Sequence, residues 1–283
     1  MKYLFFSIFL SVHFILFAQK IKVKTITRLP QIVWESSGLV TGTKETVWTH
    51  NDSGNKAILY KINNEGKIIR TLSVIGVRNV DWEDLANDYK GNVYIADIGN
   101  NLNKRKNLQI LKIPHPDSLQ VDSVKPQIIS FQYENQLKFP PQEQHLNFDA
   151  EALIAYEDSL YIFTKNRTKP YSKYTYIYAI ANEIGNQQAI LIDSLFLPHT
   201  HKLHSWITSA VRSPKQDLVV LISHKKAWII KNFRHKGKRQ LIKTKISGIY
   251  SQKEAITFDL DENLWISNER YKFLRSKLKK GHL

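Results

Sequence analysis

"DWEDLANDYKGNVYIADIGNN", residues 81–101, gathers Asp81, Glu83 and Asp84 around Trp82, crosses a polar turn into "NVYIAD", and ends on an Asp-x-Gly-Asn turn. Alone it reads as an acidic cluster. Beside "SSGLVTGTKETVWTHND" (36–52), "EALIAYEDSLYIFTK" (151–165), "TSAVRSPKQDLVVLISH" (208–224) and "EAITFDLDENLWISNE" (254–269) it becomes one copy of a repeat. Each copy has a small or acidic opening residue, a short apolar segment, a turn rich in Gly, Asp, Asn or Pro, and an apolar strand closing on polar residues. Two strands joined by a tight turn explain that pattern, and its recurrence indicates a repeat architecture.

A third strand follows each hairpin, at 57–62, 108–113, 174–180 and 227–230, and at 271–278 in the last copy. A fourth follows at 68–74, 127–133, 189–197 and 240–246, after which the last copy runs out of chain. The alternating segment "IKVKTITRLP" (21–30) can supply the missing strand and close a ring. The expected fold is therefore all-β, a β-propeller of four-stranded blades. Five blades are counted. The long interval between Glu83 and Glu151 leaves room for a sixth in 114–148. A β-sandwich accommodates the same strands but does not require one hairpin repeated five times.

Met1-Lys2, the apolar run Tyr3 to Phe17 and Ala18 form a signal-peptide pattern, too short for the roughly 20 residues of a spanning helix. The expectation is a signal peptide over 1–18 and a single propeller domain over 19–283, exported to the periplasm or beyond, with no integral membrane segment after cleavage. Cysteine is absent, which excludes disulfides, thiolate metal sites and a cysteine nucleophile. The net charge of +16 raises polyanions as partners, but no zinc-finger, helix-turn-helix or RNA-binding signature occurs, and no nucleic acid is expected.

In a propeller, the start of each inner strand and the end of its partner share one mouth of the central channel. Glu83, Glu151 and Glu254 open three inner strands, with Ser37 and Ser209 assigned the same position in the others and Asp81 and Asp149 two residues earlier. The partner strands end at Asn51, Asp52, Asp97, Lys165, His224, Asn268 and Glu269, with Arg105, Arg167 and Arg270 shortly beyond. Glu83, Glu151, Glu254, Asn51 and Asp97 form a candidate ligand set for Ca²⁺ or another divalent cation, since hard cations take six to eight oxygens. Asp52, Arg105, Lys165, Arg167, His224, Asn268, Glu269 and Arg270 form a candidate rim for a polar or anionic ligand. The competing reading pairs the same carboxylates with arginines as ties between blades. Asp84 and Asp88 carry no chemistry in this scheme. His199, His201 and His204 match no metal motif and read as a polar loop, and no hydrolase elbow, Walker loop or His-Glu-x-x-His is present.

The segments "ESSGL…WTHNDSG", "DWEDLA…VYIADIGNN", "FDAEAL…LYIFTKNR" and "EAITF…LWISNE" resemble a group of exported bacterial propeller proteins. More loosely, the acidic openings resemble the gluconolactonase/senescence-marker, esterase-like phytase and SdiA-regulated groups of the TolB-like class, many of them six-bladed. The resemblance implies a divalent metal in the channel, with Glu83 or Glu151, Asn51 and Asp97 as the nearest counterparts of its ligands. Two functions follow: a mouth that binds a polar ligand or partner, or a metal-dependent hydrolase of a lactone, ester or phosphoester.

Overall fold

The computed structural model describes residues 20–198, 201–246, 252–270 and 275–283. Among these, the only helices are short 3₁₀ turns, and the fold is all-β, of the propeller class. After β1 (Lys22–Arg28), the strands β2 (Ser36–Thr41), β3 (Val47–Asn51), β4 (Ile58–Ile62) and β5 (Ile68–Val74) pair antiparallel in chain order. The second unit is β6 (Trp82–Asn87), β7 (Asn92–Asp97) and β8 (Leu108–Pro114), then, past the two-residue β9 (Ser123–Val124), β10 (Gln127–Tyr133). The third is β11 (Ala150–Tyr156), β12 (Ser159–Thr164), β13 (Tyr174–Ala181) and β14 (Gly185–Phe196). The fourth is β15 (Ile207–Arg212), β16 (Leu218–Ser223), β17 (Ala227–Lys231) and β18 (Gln240–Thr244). The last unit holds β19 (Lys253–Phe258), β20 (Leu264–Asn268) and β21 (Lys277–His282), and β1 pairs with β21 from Lys22↔His282 to Arg28↔Lys277.

The inner strands are almost wholly buried and neighbour one another in a cycle: β2 on β6, β6 on β11, β11 on β15, β15 on β19, and β19 on β2. Apolar clusters fill the gaps between successive units, and one of them joins Leu39 and Val47 of the first to Trp265 and Leu278 of the last. Trp48, Trp82, Trp228 and Trp265 are fully buried within these layers. Strands covered on both faces are apolar apart from polar residues near the starts of the inner ones, such as Ser37, Glu83, Asp84 and Ser209, whereas outer strands such as β18 alternate.

The units are not five separate sheets as the repeat predicts. The outer strands β10 and β14 pair parallel, from Ile129↔Gly185 to Tyr133↔Ala189, fusing the second and third units into one eight-stranded sheet. β9 likewise pairs parallel with the outer strand β5. Both contacts remove exposed strand edges, which otherwise invite aggregation. Residues 114–148 are used by β9, β10 and loops, and no additional four-stranded sheet forms there. The third strand of the last copy begins at Lys277, and residues 271–274 lie outside the described residues.

A buried carboxylate ties the inner strands together. Asp84 is wholly inaccessible to solvent. It accepts hydrogen bonds from its own neighbour Leu85 N (3.0 Å), from Leu153 N on β11 (3.1 Å), and from Ala210 N (3.2 Å) and Ser209 Oγ (2.9 Å) on β15. Ser209 Oγ also accepts from Ile256 N of β19 (3.2 Å), and Ser37 Oγ of β2 donates to Glu83 O (2.5 Å). Gly38, at φ 64°, is required here, since a Cβ would lie 2.6 Å from Leu85 N. On the opposite face the Tyr89 hydroxyl reaches β15, donating to Arg212 O (2.8 Å). Counted from the strand starts, Ser209 stands level with Asp84, and Thr208 occupies the position assigned to Ser209.

Truncating Asp84 leaves buried donors on two other strands unpaired, each costing about 1–3 kcal/mol. Asp84→Ala should therefore lower unfolding free energy by about 3 kcal/mol or more, read as a shifted midpoint in urea. An unchanged midpoint contradicts the tie.

Candidate functional site

Every inner strand carries a register irregularity near its start: Ser37/Leu39, Trp82/Asp84, Ala150/Ala152, Ile207/Ser209 and Lys253/Ala255. Bulges re-aim side chains, and these turn Glu83, Glu151 and Glu254 out of the sheets and into the mouth. The partner strands end at Asn51, Asp97, Thr164, Ser223 and Asn268. The residue after each strand faces the mouth in four of the five hairpins: Asp52, Lys165, His224 and Glu269. Together these side chains, with Glu35, Asn101, Arg167 and Gln252, line a cavity of about 240 Å³.

The predicted residues therefore divide. Glu83, Glu151, Glu254, Asp52, Lys165, Arg167, His224 and Glu269 are brought together. Asn51, Asp97 and Asn268 stand one residue earlier, and alternate residues of a strand face opposite sides. Asn51 Nδ2 donates to Ile32 O (2.7 Å) and Asn268 Nδ2 to Glu269 O (2.8 Å). Asp97 is fully buried and accepts from Arg105 Nη2 (2.8 Å), Gln109 Nε2 (2.9 Å) and Asp81 N (3.0 Å). Arg105 is thus spent on Asp97 and on Gly99 O (2.7 Å), as the arginine-pairing reading anticipates. Arg270 lies outside the mouth, beside Trp34 and Arg275.

The matching turns Asp52-Ser53-Gly54-Asn55 and Asp97-Ile98-Gly99-Asn100 concealed this offset. Aligned by motif, Asp52 equals Asp97, but aligned by strand register Asn51 equals Asp97.

Carboxylate oxygens of Asp52, Asp81 and Glu83 lie within 4.8 Å of one another. Glu83 is 6% exposed, and its carboxylate makes no hydrogen bond or ion pair with a described residue. Gly99 packs against this group. A Cβ there would fall 2.3 Å from both Asp81 Oδ2 and Glu83 Oε1, so only glycine leaves them room. Burial, then the charges of Glu151, Asp52 and Asp81, hold the Glu83 pKa well above the ordinary glutamate value. Burial and Asp52 push Asp81 up to about 6, and Asp52 is raised chiefly by burial.

The other side of the cavity is partly compensated. Lys165 pairs with Glu151, and Arg167 Nε lies 2.5 Å from Asp149 Oδ2. Burial nonetheless outweighs Lys165 and pushes Glu151 up to about 7. Glu254 Oε1 and His224 Nδ1 are 3.0 Å apart. Burial lowers His224 to about 4 and raises Glu254 to about 8. Both groups are shifted towards their neutral forms, so this contact is not an ion pair, and neither atom has a hydrogen-bond partner among the described residues. Glu269, held by Gln252 Nε2 (2.6 Å), is raised to about 8 by burial and Glu254. At the rim, the Trp206 ring carries Lys202 Nζ at 4.6 Å, the Arg167 guanidinium at 5.0 Å and Lys165 Nζ at 5.5 Å.

Asp81, Glu35, Gln252 and Trp206 were missed as site residues. Asp81 had a signal, its place two residues before Glu83; the others are joined to the mouth only by tertiary structure. His201 Nδ1 accepts from Leu203 N (3.3 Å) and its ring lies 5.7 Å from that of His204, while His199 lies outside the described residues. Asp88 and Asp259 cap turns on the opposite face. A larger cleft of about 460 Å³ opens there, but its polar groups satisfy one another, Lys280 with Glu45 (3.0 Å) and His115 Nε2 with Thr41 O (3.0 Å).

No family model and no curated protein matches the sequence. Among solved structures, the WD40 repeats of RRP9 align at 11% identity and TM-score 0.48, covering 94% of this chain and 99% of that one. A gluconolactonase from Xanthomonas campestris aligns at 12% identity and TM-score 0.45, covering 88% and 72%. Virginiamycin B lyase from Staphylococcus aureus aligns at 14% identity and TM-score 0.43, covering 90% and 68%.

The raised carboxyls fix the sign of a pH effect. Each has a folded-state pKa above its unfolded value, so the folded form holds more protons. The associated stability is fully present below the unfolded values and is lost as pH rises through about 6 for Asp81, about 7 for Glu151 and about 8 for Glu254 and Glu269. In a chelator, the melting temperature should fall between about pH 5 and about pH 8.5, and less steeply in Glu254→Gln. A profile that rises over this range, or is identical in the variant, contradicts these shifts.

Proposed function

We propose that this chain is an exported five-bladed propeller, closed by β1 on the last blade, whose mouth binds a divalent cation and through it a small polar ligand. The observation that carries this reading is the Glu83 carboxylate, nearly buried, unpaired among the described residues, and grouped with Asp52 and Asp81. Buried charges need partners, and the Glu83 carboxylate has none among the described residues while two further carboxylates of raised proton affinity stand beside it. The donors are all oxygens, which suits Ca²⁺, Mg²⁺ or Mn²⁺ better than a thiophilic metal. Asp52, Asp81 and Glu83 would hold the cation, and its chemistry there would be to attract and polarise a ligand oxygen. Lys165 and Arg167, across the cavity, favour a ligand with an anionic or strongly electronegative end. The cavity volume of about 240 Å³ limits that ligand to a small molecule or the tip of a larger one.

A second reading, hydrolysis of a lactone, ester or phosphoester, is favoured by the Glu254–His224 contact. A carboxyl that titrates at about 8 in the cavity that holds the cation group is placed to give and take a proton near neutrality.

Titration calorimetry with Ca²⁺ and Mn²⁺ tests the first reading. The parent should bind one cation, Glu83→Gln should abolish binding, and Gly99→Ala, by displacing two carboxylates, should weaken it about ten-fold to a hundred-fold. Unaltered binding in Glu83→Gln, or no binding in the parent, overturns it. Turnover of any lactone, ester or phosphoester that disappears in Glu254→Gln while cation binding persists supports the second.

A further inference from the structure

The positive charge of this protein is not spread over it. Residues 20–29, 225–246 and 275–283 contain seventeen lysines and arginines and no aspartate or glutamate, leaving the rest of the chain with 24 basic against 25 acidic residues. These segments adjoin in the fold. β17 and β18 are the outer pair of the fourth unit, β21 and β1 the outer pair of the last, and Ile21 N donates to Lys245 O (2.9 Å) where they meet. Ile21, Val23, Ile242 and Ile246 turn inward to the apolar cluster between the two sheets. Alternation along the strands then turns Lys22, Lys24, Lys243 and Lys245 outward, where all four are exposed.

At the margins, Arg234 pairs with Glu157, Arg239 with Asp193 and Lys280 with Glu45. Lys20, Lys22, Lys24, Lys231, Lys243 and Lys245 make no ion pair with a described residue. Two aliphatic side chains stand among them, Ile26 at 38% and Leu241 at 39% exposure.

We propose that this face docks on an anionic lipid bilayer. A headgroup layer is a diffuse field of phosphates, and thirteen of the seventeen cations here are lysines, which act as point charges, against four arginines. Each lysine near such a surface adds to attraction, and exposed aliphatic side chains among the cations can enter the interface. Docking there keeps the outer rim of two units against the lipid and is independent of what the mouth binds.

Sedimentation with vesicles tests the proposal, using the purified full chain and phosphatidylcholine with or without phosphatidylglycerol. Binding should require phosphatidylglycerol, weaken with added salt, and fall about ten-fold or more in the variant carrying Lys22→Glu, Lys24→Glu, Lys243→Glu and Lys245→Glu. An unchanged melting temperature shows that the variant is folded. Equal binding to both vesicle types, or undiminished binding by the folded variant, overturns the proposal. So does capture by heparin or duplex DNA without binding to phosphatidylglycerol vesicles.

Discussion

The carboxylate of Asp84 is the point on which the inner ring depends. It belongs to β6 and accepts from backbone or hydroxyl donors of β11 and β15, and β15 passes the connection to β19 through Ser209. The inner strands direct backbone N–H groups towards Asp84, which is wholly inaccessible to solvent, and buried donors must be satisfied. One carboxylate, held above its ordinary pKa by burial, serves donors from three strands. Gly38 is the matching concession from β2, which brings no side chain to the axis and so leaves room for Asp84.

That arrangement determines what Glu83 can do. Adjacent strand residues point to opposite sides, so directing Asp84 to the axis commits its neighbour to the mouth, and the bulge at Trp82/Asp84 opens the angle between them. Glu151 and Glu254 reach the same cavity by equivalent bulges, yet their fates differ because their neighbours differ: Lys165 stands beside one and a neutral His224 beside the other. Glu83 has Asp52 and Asp81 instead. The acid-rich mouth and the basic outer strands β21 and β1 are two sides of one charge separation in a protein of net +16.

Much of the architecture was legible along the chain because its signals are local. Hairpin turns and alternating outer strands such as Ile68–Val74 and Gln127–Tyr133 are written in consecutive residues, and the strands form where the pattern places them. What was not legible depends on register. The Asp-x-Gly-Asn motif begins one residue past the strand end in the first hairpin and at the strand end in the second, so the motif shared by Asp52 and Asp97 misaligned the hairpin ends, and Ser209 was matched with Glu83 instead of Asp84. Asp84 itself looked idle because none of its partners on β11 and β15 is near in sequence. The parallel pairing of β10 with β14 joins edges that no local pattern marks as partners.

Whether Glu83, Asp52 and Asp81 share a cation is the central question, and anomalous scattering from crystals soaked in Mn²⁺ answers it most directly. The account predicts one anomalous peak in the mouth, bonded to oxygens of all three carboxylates, with Asp97 still held by Arg105. A mouth without a peak, with Lys165 or Arg167 swung across to neutralise Glu83, would contradict it.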